Sequence, residues 1–160
     1  MTLERLWAGW RSPYLAEVSR HDAGCVLCRV VEAPSQVVHR DDLVAVVLNA
    51  YPYTSGHLMV APRRHVGEIE DLAPEEGAAV WAAVTDAVRA LKAAYAPEGL
   101  NVGVNLGRPA GAGVPGHFHV HVLPRWNGDT NFMTTVAEAR VLPEALPHTY
   151  ARVRDAWPSR

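Results

Sequence analysis

Residues 116–124 read GHFHVHVLP, and this stretch decides the predicted fold and chemistry. Polar and apolar residues alternate with period two, which predicts a β-strand ended by Pro124. His117, His119 and His121 then share one face, while the apolar residues between them anchor the strand in the core. A solvent-facing polar strand or an isolated metal site would alternate in the same way. However, a row of imidazoles can also bind a phosphate while one of them attacks it.

Four more strands and two helices are predicted around this stretch. Apolar, β-branched runs bounded by turn residues indicate strands, and the predicted strands are residues 37–39, 43–49, 56–61, 100–106 and 117–123. A long amphipathic helix begins at Pro74 and ends at Pro97, and a C-terminal helix covers about residues 143–157. Short connections between successive strands predict an α+β fold, a five-stranded antiparallel sheet with helices on one face.

Length and charge narrow the class of protein. A chain of 160 residues fits one domain over residues 1–160. Its 15 Lys and Arg are outnumbered by 17 Asp and Glu, whereas a protein that binds nucleic-acid backbones needs a basic excess. No apolar run approaches the roughly 20 residues that cross a bilayer, and the N-terminus lacks the apolar stretch of a signal peptide. We therefore expect a cytoplasmic protein that binds neither nucleic acid nor membrane.

Two blocks of this sequence resemble the histidine triad (HIT) family of nucleotide hydrolases and transferases. The alternating stretch at residues 117–123 is similar to the family's signature, and Asn49 followed by residues 56–65, GHLMVAPRRH, is similar to a second family block. The resemblance covers a core of about residues 25–125 and leaves residues 126–160 as a C-terminal extension. It implies a small-molecule nucleotide substrate and a homodimer in which two five-stranded sheets extend into one.

The resemblance also implies roles for single residues. His119 matches the nucleophile that attacks the α-phosphate and forms a nucleotidyl-histidine intermediate. His121 matches the residue that contacts the phosphate or the leaving group. His57 and His117 match supporting histidines that hydrogen-bond within the triad and fix the ring orientations.

Two asparagines and a glycine loop complete the implied nucleotide site. Asn49 matches the residue that contacts the ribose hydroxyls and Asn105 the amide near the phosphates, although both could instead be turn residues. The loop at residues 111–116, GAGVPG, satisfies G-x-G-x-x-G, but a strand follows it instead of a helix, which excludes a dinucleotide-binding fingerprint. Its bare backbone N–H groups, Gly113 among them, can still approach a phosphate.

The same loop departs from the common family pattern. Many HIT proteins carry Gln and then Ser or Thr just before the triad, where this chain has Ala112 and Gly113. Any contact to the leaving group must then come from the backbone or from elsewhere. The longer loop, together with residues 124–132, PRWNGDTNF, more nearly resembles the branch that includes diadenosine tetraphosphate phosphorylases.

Cys25 and Cys28 are the chain's two cysteines and have zinc-ligand spacing. A redox pair and two buried thiols are the alternatives. Some HIT proteins bind zinc through this pair, a histidine at the end of the second block and the first triad histidine, here His65 and His117. The resemblance thus implies a structural zinc without an open position for a catalytic water. The remaining histidines are predicted to lie at the surface: His21, His39 and His148.

The predicted activity is cleavage at the α-phosphate of adenine-type nucleotides, such as diadenosine polyphosphates, by double displacement. No catalytic cofactor is required, because imidazoles and backbone donors can stabilise the charge. A purine nucleoside phosphoramidase is the alternative enzyme. A non-catalytic nucleotide-binding module and a zinc-stabilised interaction domain are the alternatives from other classes.

Overall fold

The computed structural model describes residues 24–129 and 144–159. Within these ranges the helices are α1 (Val26–Val30), α2 (Pro74–Tyr95) and α3 (Leu146–Asp155), and single 3-10 turns lie at Ile69–Asp71 and Arg108–Ala110. The strands are β1 (Val37–Arg40), β2 (Val44–Leu48), β3 (Leu58–Pro62), β4 (Gly99–Gly103) and β5 (Val120–Arg125). None of the helices in the described ranges is long and apolar enough to cross a bilayer.

The strands form one antiparallel sheet in the order β1-β2-β3-β5-β4. The predicted α+β class, the five-stranded sheet, the long helix and the C-terminal helix are thereby confirmed. In the register of the sheet, His121 of β5 lies between Met59 of β3 and Gly103 of β4. Because β3 and β5 are antiparallel, Leu58 at the start of β3 lies opposite Val122, and Val120 at the start of β5 lies opposite Val60.

The main core lies between one face of the sheet and the helices α2 and α3. Its buried side chains are aliphatic apart from Phe118, and alternate strand residues meet the apolar stripe of α2. They include Val46, Leu58, Val60 and Val122 of the sheet, Val80, Val84 and Leu91 of α2, and Val153 of α3.

The two helices that the sequence predicts both pack on that face, as expected, and the short helix α1 lies on the opposite face of the sheet. A second buried cluster packs Val31, at the end of α1, against Ala45, Val47 and Ala61. The sequence does not predict α1, because a helix of five residues is too short to show the 3.6-residue periodicity. This helix matters for the site because Cys25 immediately precedes it and Cys28 lies within it.

The strand that contains the last triad histidine is shifted from its predicted bounds. It begins at Val120 and continues past Pro124 to Arg125, instead of spanning residues 117–123. His117 and Phe118 lie outside the strand, and their N–H groups bond to carbonyls of other segments. His117 N–H donates to the Val114 carbonyl (3.3 Å), and Phe118 N–H donates to the Val66 carbonyl (2.6 Å).

The histidines outside the two predicted clusters have different environments. His39 is half-buried and stacks on Trp157, with ring centroids 4.9 Å apart and an interplanar angle of 13°. The prediction of a surface position is therefore wrong for His39, because α3 and the residues after it pack beside β1. His148 is exposed, as predicted, and His21 lies outside the described residues.

Candidate active site and metal centre

Three histidine rings form a contiguous row across the neighbouring strands β3 and β5. His57 immediately precedes β3, and His121 is the second residue of β5. The ring centroids of His57 and His121 lie 5.0 Å apart, and those of His119 and His121 lie 4.9 Å apart. The structure therefore brings together three of the four predicted triad histidines, and His117 turns its ring toward the cysteines.

Hydrogen bonds assign the protonated nitrogen of His57 and His121. Tyr53 N–H donates to His57 Nδ1 (3.1 Å), so that nitrogen must carry a lone pair, and neutral His57 has its proton on Nε2. His57 Nε2 lies 2.9 Å from His121 Nδ1 and donates to it. His121 Nδ1 is then an acceptor, and His121 presents an Nε2–H donor.

His119 has the opposite arrangement. Its Nδ1 lies 2.8 Å from the carbonyl oxygen of His117, and since a carbonyl only accepts, Nδ1 carries the proton and Nε2 the lone pair. Burial lowers the pKa of His119, against the opposing effect of that hydrogen bond, because a charged ring would lose its hydration. A neutral imidazole with Nε2 unprotonated is the form that can act as a nucleophile.

Asn49 lies beside the histidine row. It directly follows β2, and its Oδ1 accepts the backbone N–H of Tyr51 at 2.9 Å, as in an Asx turn. Its Nδ2 lies 3.3 Å from His57 Nδ1. Asn49 is thus both a turn residue and a neighbour of the triad, so the two interpretations of its sequence position are compatible.

Asn105 lies in the long connection from β4 to β5 and holds the glycine loop. Its Nδ2 donates to the Gly111 carbonyl at 3.3 Å, and Ala112 N–H donates to the Gly107 carbonyl at 3.2 Å. Gly113 is half-buried in the same loop. Asn105 therefore acts on the loop conformation, which in turn determines where the Gly113 backbone N–H lies.

Cys25, Cys28, His65 and His117 form the second cluster. Their ligand atoms all lie within 4.8 Å of one another. Cys28 Sγ lies 3.2 Å from His65 Nδ1, and the Cys25 and Cys28 sulfurs lie 3.4 and 3.5 Å from His117 Nδ1. Three segments, namely α1, the turn after β3 and the segment before β5, converge on these four atoms.

The chemistry of this cluster fits a zinc ion. Two sulfurs and two imidazole nitrogens are a tetrahedral donor set typical of zinc. His117 Nε2 lies 2.8 Å from the Pro62 carbonyl oxygen and donates to it, so the lone pair is on Nδ1, which faces both sulfurs. Burial lowers the pKa of His117, which also favours the neutral ligand form. Burial and the neighbouring Cys25 raise the pKa of Cys28, an effect that a bound cation would reverse.

Tyr53 contacts the histidine row, and the sequence does not single it out. Besides its N–H contact, its ring centroid lies 4.7 Å from that of His57 and 6.1 Å from that of His121. No motif marks this position, and its one signal is a spacing of four residues before His57. A backbone donor and a ring contact depend on the conformation of the turn, which residue type alone does not specify.

Comparison with known proteins agrees with this geometry. Residues 30–128 match the family model of the HIT domain. The chain is 41% identical over 165 residues to the AP-4-A phosphorylase of Mycobacterium tuberculosis, a match that covers 97% of this chain and 85% of that protein. It is 35% identical over 95 residues to the asymmetrical bis(5'-nucleosyl)-tetraphosphatase of Schizosaccharomyces pombe, covering 59% and 52% of the two chains. The solved structure of a zinc-bound histidine triad family protein from Mycobacterium smegmatis superposes with a TM-score of 0.68 at 30% identity, covering 83% and 92%.

Proposed function

Since this chain belongs to the HIT domain family of nucleotide-processing enzymes, we propose that it cleaves diadenosine tetraphosphate at an α-phosphate through a nucleotidyl-histidine intermediate. One observation carries the proposal: the Nδ1–H of His119 is bound to the His117 carbonyl, which makes Nε2 the nucleophilic nitrogen. The neighbouring His121 presents an N–H donor beside it. The match to the Mycobacterium tuberculosis AP-4-A phosphorylase over 97% of the chain supports this substrate class.

The first half-reaction transfers the nucleotidyl group to the enzyme. His119 Nε2 forms a bond to the α-phosphorus as the bond from that phosphorus to its bridging oxygen breaks, and ATP leaves. The His121 Nε2–H donates a hydrogen bond to the departing oxygen as negative charge develops on it. Because His119 is buried and neutral, its lone pair is available without prior loss of a proton.

The second half-reaction restores the histidine. An oxygen of water or of inorganic phosphate attacks the same phosphorus, and the bond between phosphorus and Nε2 breaks. Water yields AMP and phosphate yields ADP, with the proton of the attacking group released to solvent. The relatives include both a phosphorylase and a tetraphosphatase, and we propose phosphate as the acceptor because the match to the phosphorylase covers nearly the whole chain.

Asn49, Asn105 and the glycine loop bind the nucleotide in this proposal. Asn49 lies next to His57 and would contact the ribose, as the family resemblance implies. Asn105 holds the loop through the Gly111 carbonyl, and the Gly113 N–H would then donate to a phosphate oxygen. Since Ala112 and Gly113 have no polar side-chain groups, these contacts come from the backbone.

We also propose that Cys25, Cys28, His65 and His117 hold a structural zinc. The four side chains occupy all four positions of a tetrahedral ion, so none remains for a catalytic water. When bound, the zinc supplies a cross-link between α1, the turn after β3 and the segment before β5. The carbonyl of one of its ligands, His117, also accepts the Nδ1–H of His119, so the cross-link lies next to the reacting group.

A homodimer joined at β4 is the proposed assembly. Within the described residues β4 pairs with β5 and has no neighbour on its other side. Exposed apolar side chains lie on β4 and on α2: Val102 is 43% exposed and Trp81 is 58% exposed. An unpaired strand edge together with exposed apolar groups favours pairing with a second copy.

Product analysis of diadenosine tetraphosphate tests the function directly. The protein is incubated with this substrate, with and without inorganic phosphate, and the nucleotides are separated by chromatography. We expect ADP and ATP to form only when phosphate is present. AMP and ATP formed without phosphate would make the enzyme a hydrolase, and turnover of adenosine phosphoramidate alone would make it a phosphoramidase.

The His119→Ala variant is the control for the mechanism. We expect at least about a 10³-fold loss of turnover with nucleotide affinity largely retained, because the variant removes the nucleophile and no binding contact that the proposal uses. Calorimetric titration with a non-reacting nucleotide measures the affinity. If the wild-type protein binds nucleotide and turns over none of these substrates, the proposal is wrong and a nucleotide-binding module is supported.

A further inference from the structure

The turn that connects β2 to β3, residues 49–57, is organised around the side chains at its two ends. Asn49 N–H donates to the His57 carbonyl (3.0 Å), and His57 N–H donates to the Thr54 carbonyl (3.3 Å). Two further backbone donors bond to side chains: Tyr51 N–H to Asn49 Oδ1 (2.9 Å) and Tyr53 N–H to His57 Nδ1 (3.1 Å). The turn therefore holds the His57 ring by its own main chain.

Tyr53 contacts the histidine row in two ways. Its N–H binds His57 Nδ1, and its ring packs against His57 at 4.7 Å and 46° and against His121 at 6.1 Å and 29°. Tyr53 itself is half-buried, whereas His57 is fully buried. A single residue thus supplies both a hydrogen bond to one ring of the pair and an aromatic contact to both rings.

The orientation of the His57 ring determines which nitrogen of His121 carries the proton. Rotation of an imidazole by 180° about its last torsion exchanges nitrogens with carbons, and this torsion has only a broad, roughly two-fold preference of its own. In the rotated ring a C–H group, and no N–H group, would face His121 Nδ1. His121 could then carry its proton on Nδ1, and the Nε2–H donor would be lost.

We propose that Tyr53 is a positioning residue that keeps His57, and through it His121, in the tautomer that donates from Nε2. The proposal deepens the proposed function, since it rests on His121 as the donor to the leaving group. In the observed ring orientation the Tyr53 N–H requires the lone pair on His57 Nδ1, and the Tyr53 side-chain ring prevents the rotation that would move Nδ1 away from this donor. Both contacts use groups that phenylalanine retains, so the proposal assigns the effect to the aromatic ring and the turn, not to the hydroxyl.

Long-range ¹H–¹⁵N NMR correlation of the zinc-loaded protein, labelled with ¹⁵N in histidine, reads the tautomers without turnover. In the wild-type protein we expect His57 and His121 both protonated on Nε2 and His119 protonated on Nδ1. Tyr53→Phe should keep this pattern. Tyr53→Leu and Tyr53→Met should give mixed tautomers at His57 and His121 while His119 stays unchanged, because its Nδ1 partner is the His117 carbonyl.

Kinetics of the same variants separate positioning from substrate contact. We expect kcat for diadenosine tetraphosphate to fall by about 10- to 100-fold in the Leu and Met variants, the loss typical of a misplaced catalytic group, with KM within about twofold. Tyr53→Phe should stay within about twofold of wild type. Tyr51→Leu, a change of the same kind in the same turn, should leave the histidine tautomers unchanged.

Three results would overturn the proposal. One is a wild-type His57 protonated on Nδ1, which needs no variant to detect. Another is an unchanged tautomer pattern in folded Leu or Met variants. The third is a rise in KM at constant kcat, which would make Tyr53 a substrate contact. If the wild-type protein does not cleave the substrate, the proposed function fails, and the NMR measurement still decides the role of Tyr53.

Discussion

At the scale of single residues, His117 connects the metal cluster with the histidine row. Its Nδ1 faces Cys25 and Cys28, its Nε2–H donates to the Pro62 carbonyl, and its own carbonyl accepts from His119 Nδ1. Each of these contacts uses a different group of the residue. The same residue can therefore hold a metal with its side chain and orient the nucleophile with its main chain.

The contribution of His121 to kcat should depend on how much negative charge is concentrated on the departing oxygen. We expect His121→Ala to lower kcat for diadenosine tetraphosphate by about 10²-fold, because its Nε2–H no longer stabilises charge on the departing oxygen. With the p-nitrophenyl ester of AMP, whose leaving group delocalises its own charge, we expect a loss of less than about tenfold. Steady-state rates with both substrates measure this, and equal losses would contradict the role of His121.

At the scale of elements, the start of α2 and the turn after β3 illustrate how local geometry holds the site. Pro74 opens α2, and Glu76 accepts the N–H of Ala73 (2.9 Å) and two N–H groups of Arg64 (2.7 and 2.8 Å). Arg64 immediately precedes His65, a residue of the metal cluster. The ion pair thus connects the first turn of α2 to the segment that presents His65.

The ion pair of Arg64 and Glu76 should make stability depend on pH. Hydrogen bonds from Arg64 lower the pKa of Glu76 from 4.5 to about 2, although burial opposes this. A lowered pKa stabilises the fold above pH 4.5, and this contribution is lost as the pH falls toward about 2. We expect Glu76→Gln to cost about 1–2 kcal/mol of unfolding free energy near pH 6, because Arg64 is half exposed and solvent screens the pair.

Urea unfolding near pH 6 and near pH 3 measures this difference. The cost of Glu76→Gln should become smaller at the lower pH, where part of the wild-type advantage is lost. Glu75→Gln, in the same helical turn, is the matched control and should change stability by less than about 0.5 kcal/mol. An equal cost of Glu76→Gln at both pH values would show that the carboxylate charge makes no contribution.

Gly56 should not tolerate a side chain, whereas Gly77 should. Gly56 has a φ of +82°, and a Cβ there would lie 3.1 Å from Leu91, Tyr95 and Pro124. We expect Gly56→Ala to destabilise the fold by about 1–3 kcal/mol. Gly77, inside α2, has nothing within 4 Å of a Cβ, so Gly77→Ala should stabilise by about 0.5–1 kcal/mol. Thermal unfolding of both variants tests this pair, and equal effects would contradict the explanation.

At the scale of the whole molecule, the metal cluster links parts of the chain that are far apart in sequence. Cys28 is separated from His65 by 37 positions and from His117 by 89. It lies on α1, on the face of the sheet opposite α2 and α3. A bound ion would therefore hold α1 to the sheet in addition to the small apolar cluster around Val31.

Removal of the metal should lower thermal stability. We expect about one zinc ion per chain by elemental analysis, and we expect a strong chelator to lower the melting temperature by about 5–10 °C, because the ion binds only the folded arrangement of its four ligands. The Cys28→Ser variant is the control, since its melting temperature should not respond to the chelator. A wild-type protein that contains no zinc and does not respond would contradict the metal assignment.

Light scattering coupled to size-exclusion chromatography tests the assembly. We expect twice the chain mass of 17.4 kDa for the wild-type protein. Val102→Asp, which places a charge on the edge strand, should shift the protein toward the monomer. Ile69→Asp, a change at an exposed apolar residue of a 3-10 turn, should leave the dimer intact. A wild-type mass of one chain would contradict the dimer.

The sequence is sufficient to predict the α+β class, the five strands and the long helix, because alternation and helical spacing are local patterns that its residues display. It also singled out His119, His121 and the two cysteines, through their spacing and the family resemblance. Sequence patterns do not predict that α1 packs on the second face of the sheet, that β5 begins at Val120, or that Tyr53 contacts the histidine row. These features depend on hydrogen bonds and packing between segments distant in sequence, which no local pattern encodes.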